Sequence, residues 1–296
     1  MVNNSGTVIG LDMQKIILYY KFVPIKDPQM TMRWQRELCS RLNLQGRIII
    51  SEHGINGTLG GEMDDVKSYV KAMNQTPEFK STEYKWSDGQ REDFPKLSIK
   101  VRKELVTLEP EEDFDVFDKG TPLRPEAWHK YLEEHPDAIV FDARNNYESE
   151  VGKFRGAITP DIKTFKDVKA ELEKLPKDQP VLTYCTGDIR CEYLSAYMKH
   201  KGFQDVYHLD GGIVKYGQTF GDDGFWEGKC YVFDQRMSVA FSPDSKDIGT
   251  CVNCGAATSH QENCADMSCN LQFVVCEKCA AEAVVRCDRH ATVTAS

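Results

Sequence analysis

The 296-residue sequence has no apolar run of about 18 residues, the length that a membrane-spanning helix needs. Its first ten residues lack the basic flank and apolar stretch of a secretory signal, and the sequence carries no flavin, haem or two-His-one-carboxylate iron motif. These absences predict a cytoplasmic chain with no membrane partner. Thiols rarely form lasting disulfides in that compartment, so the 11 cysteines are predicted to be catalytic thiols or metal ligands.

Acidic residues outnumber basic ones, 46 to 37, which gives a net charge of −9 and disfavours non-specific binding to polyanions. The charge is spread unevenly, because residues 1–108 hold 16 Lys and Arg against 13 Asp and Glu. The first third therefore permits a basic face for a nucleic acid, although an ordinary mixed surface explains the same counts.

Residues 1–108 have the pattern of an α+β domain. Apolar runs rich in β-branched and aromatic residues predict strands, and apolar residues at helical spacing predict helices. The strands are Ile16–Val23, Arg47–Ser51, Gly54–Gly61 and Leu97–Val101, and the helices are centred on Met30–Leu42 and Val66–Met73. The order βαββαβ predicts a ferredoxin-like sandwich.

Three further segments follow this domain. Residues 109–123 are acidic and contain prolines, which predicts a linker. Residues 124–242 contain short, continuous apolar runs, as expected of a parallel α/β domain whose strands are covered on both faces. These runs are Ala138–Phe141, Pro180–Tyr184 and Val206–Leu209. Residues 243–296 are rich in cysteine and too few to build a large core, so they need a staple such as a metal ion.

The sharpest chemical feature is Cys185, which follows the apolar run PVLTY and precedes a short loop and a helix. The loop consists of Thr186, Gly187, Asp188, Ile189 and Arg190. Free backbone N–H groups and the helix dipole at a helix N-terminus lower the pKa of a thiol and make it a nucleophile. Arg190 is expected to add positive charge at the rim. The alternative is an inert, buried structural cysteine.

Cys191 lies six residues after Cys185, in the first turns of the predicted helix. It can act as a resolving thiol that forms a disulfide once Cys185 is oxidised, and a packed, inert cysteine explains it equally well. Cys39 and Cys230 stand alone in the sequence and are predicted to be structural.

Five motifs in order resemble a rhodanese domain. They are Asp142-x-Arg144, Glu150-x-Gly152, Phe154-x-Gly156-Ala157-Ile158, Cys185–Arg190 and Leu209-x-Gly211-Gly212-Ile213. The resemblance implies that Cys185 carries sulfur as a persulfide, cradled by the amides of the loop. It also implies that Asp142 and Arg144 brace the loop; the alternative is an ion pair at the surface.

The likeness extends to one rhodanese subfamily, the bacterial tRNA uridine hydroxylases, and covers nearly the whole chain. It rests on Tyr20–Phe22, Ser51–Thr58, Lys85–Gly89, Phe94–Arg102, Asn145–Glu150 and the cysteine-rich tail. The resemblance implies oxidation of the wobble uridine of tRNA to 5-hydroxyuridine with molecular oxygen. That subfamily usually has a second glycine where this chain has Asp188. An anion beside the thiol opposes thiolate formation unless it faces outward or pairs with Arg190, and we expect Asp188 to face outward.

The N-terminal third offers candidate RNA contacts. Glycines at the bend SEHGINGT allow close approach of a ligand, and cations interleaved with an aromatic residue suit a single-stranded RNA loop. The candidates are Glu52, His53, Asn56, Lys85, Trp86, Lys96, Lys100 and Arg102. Basic strands and a core tryptophan explain these residues equally well, and the family resemblance favours the tRNA anticodon loop with its uridine held out for chemistry.

Two close cysteine pairs, Cys251-x-x-Cys254 and Cys276-x-x-Cys279, are separated by 21 residues in the tail. This spacing predicts a closed, four-thiolate zinc site that holds structure and does not catalyse. Cys264, Cys269, Cys287 and His290 are also present and can form a second site or replace a member of the first. The alternative is a tail whose thiols are partly free.

We therefore expect an oxygen-dependent tRNA uridine hydroxylase in which Cys185 attacks the pyrimidine or carries an oxidised sulfur. An attack at C6 raises electron density at C5, where an oxidant reacts. Two other interpretations stay open: a persulfide sulfurtransferase that uses the same thiol, and a non-enzymatic RNA-binding module with a vestigial loop. Both enzymatic interpretations require that Cys185 is ionised and that a substrate can reach it.

Overall fold

The computed structural model describes residues 14–266, 268–269 and 271–282. The chain divides into two compact units between Leu105 and Val106, and each unit has its own sheet and core. No helix in these described ranges is long and apolar enough to cross a bilayer.

The first unit alternates strands and helices. Its strands are β1 (Gln14–Phe22), β2 (Gln45–Ser51), β3 (Gly54–Glu62), β4 (Tyr84–Asp88) and β5 (Leu97–Val101). Its helices are α1 (Pro28–Arg41), α2 (Met63–Gln75) and two short 3-10 turns, Pro77–Phe79 and Arg91–Asp93. Helix α1 begins where the Asp27 carboxylate accepts a hydrogen bond from the backbone N–H of Met30 at 2.9 Å.

The sheet of the first unit has the strand order β4-β1-β3-β2-β5, in which only β2 and β5 run parallel. The first four strands in this order, β4-β1-β3-β2, form the ferredoxin-like arrangement, which confirms the predicted fold class. The prediction that Leu97–Val101 closes the βαββαβ unit is wrong, because Tyr84–Asp88 pairs with β1 and takes that place. Leu97–Val101 is a fifth strand, at the opposite edge.

Both helices cover one face of this sheet. Ile17 and Tyr19 of β1 lie in a core with Val66, Tyr69 and Met73, which share one face of α2. The Tyr19 ring lies over Gly57 of β3, where an added Cβ would come within 2.3 Å of the ring, so only glycine fits there. Because side chains alternate along a strand, the residues between these core positions face the other side of the sheet.

The second unit contains more, shorter elements. Its strands are β6 (Thr121–Leu123), β7 (Ile139–Asp142), β8 (Gly152–Phe154), β9 (Val181–Tyr184), β10 (Val206–Leu209), β11 (Trp226–Gly228), β12 (Cys230–Tyr231), β13 (Ser238–Val239), β14 (Gln261–Asn263) and β15 (Gln272–Val274). Its helices are α3 (Pro125–Glu134), α4 (Asn146–Ser149), α5 (Val168–Leu172), α6 (Ile189–His200), α7 (Gly212–Phe220) and α8 (Glu277–Glu282), with a 3-10 turn at Phe165–Asp167.

The main sheet of this unit is parallel throughout, in the order β6-β10-β9-β7, which confirms the predicted parallel α/β class. Every residue of β9 is buried, as expected of a central strand covered on both faces. An aromatic cluster fills the core beside it; its members are Trp128, Phe154, Tyr184, Tyr216 and Trp226. This packing fixes the carboxyl end of β9, from which the Cys185 loop continues.

The acidic segment before α3 belongs to the second unit and contacts its helices α5 and α6. The Glu111 carboxylate accepts a hydrogen bond from the Tyr197 hydroxyl at 3.0 Å and lies 2.7 Å from the Lys169 ammonium. At the end of the segment, Thr121–Leu123 forms the edge strand β6 and pairs with β10. These contacts order residues that composition alone predicts to be a linker.

Candidate functional site

Cys185 lies at the carboxyl end of β9, in the loop that leads into α6. Its carbonyl accepts a hydrogen bond from the backbone N–H of Ile213 at 3.0 Å, and the Thr186 carbonyl accepts one from Val214 at 3.1 Å. Both donors belong to the first turn of α7, so that helix holds the loop in place. The close approach requires Gly212, which has φ of 68° and where an added Cβ would lie 2.6 Å from the Cys185 carbonyl oxygen.

The surroundings of Cys185 lower the pKa of its thiol below the ordinary value. Burial by itself raises its pKa, because a thiolate loses hydration. The side chain and backbone of Cys191 and the positive charge of the Arg190 guanidinium favour the thiolate and lower the pKa; the Asp188 carboxylate acts in the opposite direction. Together these contributions lower the pKa of Cys185 from 9.0 to about 6.

Arg190 is held by Glu148, a residue that the sequence marks only as part of the Asn145–Glu150 motif. The two guanidinium nitrogens donate to the two carboxylate oxygens at 2.6 and 2.7 Å, and the Glu148 side chain is fully buried. Thr186 Oγ1 also donates to this carboxylate at 3.3 Å. The pair fixes a positive charge beside the Cys185 sulfur, inside the protein instead of at an open rim.

Asp142 and Arg144 form a second buried ion pair, with both side chains fully enclosed and a shortest contact of 2.6 Å. Arg144 Nη2 also donates to the Gly152 carbonyl at 2.6 Å. Its guanidinium lies over the rings of Tyr184 and Trp226, at 5.6 and 5.3 Å. Because both side chains are fully enclosed, the pair is not a surface ion pair; its contacts join the end of β7 to α4 and β8.

The expectation that Asp188 faces outward is wrong. The side chain is buried, and its carboxylate lies 2.7 Å from Nδ1 of His208 and accepts a hydrogen bond from the Gly211 backbone at 3.3 Å. Asp188 has φ of 82°, in the left-handed region that favours glycine. His208, on the neighbouring strand β10, explains the difference, because it offers a buried partner that the loop sequence does not reveal.

Cys185 is enclosed in this structure, with 1% of its surface exposed, and Cys191 is fully buried. The hairpin formed by β12 and β13 contacts the loop: Thr186 Oγ1 lies 3.5 Å from the Tyr231 carbonyl, and the Arg190 guanidinium lies 5.4 Å from the centre of the Phe233 ring. A pyrimidine therefore reaches the sulfur only if groups around the loop move.

Four cysteines of the tail form a cluster that can hold a metal ion. The sulfur atoms of Cys251, Cys254, Cys276 and Cys279 all lie within 4.8 Å of one another. Sulfur atoms at about 2.3 Å from a tetrahedral metal lie about 3.8 Å apart, and Cys254 and Cys276 are separated by 3.7 Å. The donor set and spacing fit a tetrahedral thiolate site.

Local turns bring these four thiols together. The backbone N–H of Gly255 donates to the Cys251 carbonyl at 2.9 Å, and Gly255 has φ of 74°, which closes the first pair into a tight turn. The second pair lies at the start of α8. Cys264 and Cys269 are not members of the cluster, and Cys287 and His290 lie outside the described residues.

The candidate RNA contacts divide between the two faces of the first unit's sheet. Asn56, Lys85 and Lys100 alternate with core residues of β3, β4 and β5 and so share the face opposite the helices. Trp86 packs toward the core. Tyr20, which the sequence analysis did not single out as a contact, joins the polar face, where the Lys85 ammonium lies 5.0 Å from its ring centre.

The remaining candidates lie at the ends of the strands. Glu52 and His53 form the turn between β2 and β3, with Glu52 exposed and His53 half-buried. Lys96 and Arg102 are exposed just before and just after β5.

Fold and site together define the second unit as a rhodanese-like domain with a cysteine in the loop that follows its central strand. The family model for the rhodanese-like domain matches residues 125–219, and a model described as rhodanase C-terminal matches residues 227–291. Residues 14–105 match a model described as UPF0176 acylphosphatase like domain.

Relatives that match most of the chain share one name, tRNA uridine(34) hydroxylase. The protein from Corynebacterium urealyticum is 50% identical over 283 residues, which cover 92% of this chain and 95% of the relative. That from Corynebacterium jeikeium is 49% identical, covering 92% and 91%, and that from an Arthrobacter species is 48% identical, covering 90% and 95%. The chain therefore belongs to the tRNA uridine(34) hydroxylase family, which confirms the predicted resemblance.

We predict that His208→Gln removes a pH-dependent part of the free energy of unfolding. Burial lowers the pKa of His208, but the carboxylates of Asp188, Glu192 and Asp210 outweigh burial and raise it above the ordinary 6.5. The contribution of the ion pair is therefore fully present below pH 6.5 and is lost as the pH rises through the raised pKa.

Urea unfolding across a pH series measures this effect. The difference in free energy of unfolding between the unmodified chain and H208Q should be largest in acid and shrink in alkali. His135→Gln, at an exposed histidine, is the matched control. A difference that stays constant with pH would show that His208 acts only by packing.

Proposed function

We propose that this chain hydroxylates uridine 34 of tRNA at C5 with molecular oxygen, and that Cys185 is the reactive thiol. The observation that carries the proposal is that this member of the tRNA uridine(34) hydroxylase family places Cys185 in the loop that also holds the buried Arg190–Glu148 ion pair. The lowered pKa of Cys185, about 6, supports the same role. The chain is accordingly an oxidoreductase that acts on tRNA in the cytoplasm.

The chemistry of the uracil ring explains why a thiolate is useful. The C6 atom is the electron-poor end of the C5–C6 double bond, so the Cys185 thiolate forms a bond there and the electron pair moves to C5. C5 then attacks molecular oxygen and forms the new C–O bond. Loss of the C5 proton expels the Cys185 thiolate, restores the double bond and leaves a hydroperoxide at C5. An external two-electron donor of the thiol class then reduces the hydroperoxide to the C5 hydroxyl and water, and is itself oxidised to a disulfide.

The ion pairs around the loop support this sequence. The sulfur is negatively charged both before it adds to the ring and after it leaves, and the Arg190 guanidinium stabilises that charge in both states. Glu148 holds Arg190 in two hydrogen bonds, so the cation is oriented before the substrate arrives. Because Cys185 is 1% exposed, catalysis also requires that the loop surroundings open when tRNA binds.

Transfer of sulfur from a persulfide is the second candidate function. The match of residues 125–219 to the rhodanese-like domain favours it, since the same loop thiolate is the nucleophile in both reactions. The two functions leave different products on RNA: hydroxylation gives a C5 hydroxyl, and sulfur transfer gives a thiolated nucleoside. Identifying the modified nucleoside therefore distinguishes them.

We propose the polar sheet face of the first unit as a contact surface for the anticodon loop. Asn56, Lys85 and Lys100 supply a hydrogen-bonding amide and two cations on one face, with the Tyr20 ring among them. Unpaired bases stack on aromatic rings, and phosphates bind cations, so this combination suits a single-stranded loop.

We propose zinc as the ion held by Cys251, Cys254, Cys276 and Cys279. Four thiolates in a tetrahedral arrangement are a typical zinc ligand set, and they leave no open coordination position. The metal would join the turn at Gly255 to α8 and so stabilise the fold of the tail.

We predict that Cys185→Ala abolishes 5-hydroxyuridine formation in tRNA. Nucleoside mass spectrometry of tRNA from cells without the gene, supplied with either the unmodified chain or a variant, measures the product. Cys39→Ala is the matched control, because burial raises the pKa of that thiol to about 12 and it belongs to the first unit. Full restoration by C185A would overturn the proposal, and loss of a thiolated nucleoside instead would indicate sulfur transfer.

We predict that Lys85→Ala and Lys100→Ala each weaken tRNA binding. If each lysine contacts one phosphate, the slope of log affinity against log salt concentration falls by about 1 per variant. Lys71→Ala, at an exposed lysine of α2 on the helical side of the sheet, should leave affinity and slope unchanged. An equal loss in K71A would mean that binding depends on total charge and not on this face.

We predict one zinc ion per chain, measured by elemental analysis under reducing conditions. Cys254→Ser should remove the bound metal, because it takes one of four ligands from the cluster. Cys269→Ser should retain it, because Cys269 is not a member of the cluster. Metal lost equally from both variants would contradict the assigned ligand set.

A further inference from the structure

One aromatic side chain lies exposed beside the reactive loop. Phe233 belongs to the turn that joins β12 to β13, and 44% of its surface is exposed. The guanidinium carbon of Arg190 lies over its ring, 5.4 Å from the ring centre. Arg190 is in the first turn of α6, directly after the loop that begins at Cys185. The Phe233 ring therefore lies on the solvent side of this loop, whereas Cys185 itself is enclosed.

The tip of the hairpin is ordered by contacts of its own. The Asp234 carboxylate accepts hydrogen bonds from Nε and Nη2 of Arg236 at 2.7 and 2.6 Å. The ring of Tyr231 packs edge-on against the Phe233 ring, with centres 5.1 Å apart and planes at 85°. An exposed ring that is already held in place loses little conformational entropy when a ligand stacks on it.

The hairpin is also anchored beside the loop. The Tyr231 hydroxyl donates to Oε1 of Gln272 at 2.9 Å, and the Tyr231 ring packs edge-on against Tyr147 with centres 5.2 Å apart. Thr186 Oγ1 lies 3.5 Å from the Tyr231 carbonyl. The hairpin thus contacts the loop at Thr186 and at Arg190, and the exposed ring covers the second of these points.

The chemistry of this surface indicates what binds there. The two terminal nitrogens of Arg190 donate to the Glu148 carboxylate at 2.6 and 2.7 Å, so these donors are committed to the protein and are not offered to a phosphate. The exposed group is the flat, apolar ring of Phe233, which suits a planar base better than a charged group. Unpaired RNA bases stack on aromatic side chains, and an enzyme that modifies a base takes it out of its own stack.

We propose that Phe233 is the residue on which the base of uridine 34 stacks when tRNA binds. This inference rests on the proposed function, because it assigns the residue that receives the substrate uridine of that same reaction. A base stacked on Phe233 lies next to Arg190, and so beside the reactive loop, while Cys185 is still enclosed. Phe233 is therefore a binding residue, and opening of the loop is a separate step.

Binding measurements without oxygen test the assignment. The full chain is titrated with fluorescently labelled tRNA that carries uridine at position 34, or an abasic nucleotide at position 34 or at position 35. Stacking of one base on an aromatic side chain contributes about tenfold to affinity. The unmodified chain should therefore bind the tRNA that is abasic at position 34 about tenfold more weakly than the tRNA with uridine there.

Two substitutions separate stacking from a structural role of the side chain. Phe233→Leu keeps an apolar side chain but has no aromatic face, whereas Phe233→Tyr keeps the ring. F233L should bind the uridine-34 tRNA about tenfold more weakly and should no longer distinguish it from the tRNA that is abasic at position 34. F233Y should behave as the unmodified chain does. Phe117→Leu, at a phenylalanine of the acidic segment that is 42% exposed, should leave both affinities unchanged.

The outcomes distinguish this inference from the function on which it rests. If the unmodified chain binds both tRNAs equally, or if F233L still distinguishes them, uridine 34 does not stack on Phe233 and the inference is overturned. It is also overturned if the affinity lost in F233L depends on nucleotide 35, or if F233Y binds as weakly as F233L. If binding follows the expectation but no 5-hydroxyuridine forms once oxygen and a thiol reductant are added, the proposed function fails and the stacking assignment stands.

Discussion

Two buried ion pairs make the reactive loop possible. A guanidinium inside a protein is costly unless a carboxylate and hydrogen-bond acceptors surround it. Glu148 meets this requirement for Arg190, and Asp142 meets it for Arg144, in each case with side chains that solvent barely reaches. The first pair places a cation beside the Cys185 sulfur, and the second joins the end of β7 to β8 through the bond from Arg144 to the Gly152 carbonyl. A thiolate can therefore exist at a site that excludes water.

The sequence was most informative where one short segment contains the whole signal. The apolar run before Cys185 predicts a strand, and the glycine after it predicts a tight loop that leads into a helix. All three elements form, because each depends mainly on residues that are adjacent in the sequence. Glu148 and Arg190 are 42 residues apart, and Asp188 and His208 are 20 apart. Their pairing depends on which strands become neighbours, so no local pattern reveals it. The buried position of Asp188 follows from that long-range contact.

The same difference between local and long-range information applies to the cysteine cluster and to the sheet of the first unit. The spacing of the four cluster cysteines predicts the pairs, because each pair is bridged by two residues in one turn. Only the fold of the residues between the two pairs shows that Cys264 and Cys269 are not members of the cluster. In the first unit, Lys85 and Trp86 are adjacent in sequence and look like one basic–aromatic motif. A strand turns them to opposite faces, so one contributes to the polar surface and the other to the core.

Gly212 has a consequence for how this loop can be inherited or transplanted. An added Cβ at that position would collide with the carbonyls of Cys185 and Thr186, which lie on a different element. The shape of the cysteine loop is thus encoded partly at the start of a later helix. Grafting residues 185–190 into another rhodanese-like scaffold would carry over the nucleophile but not its geometry, unless the recipient has a glycine at the matching place.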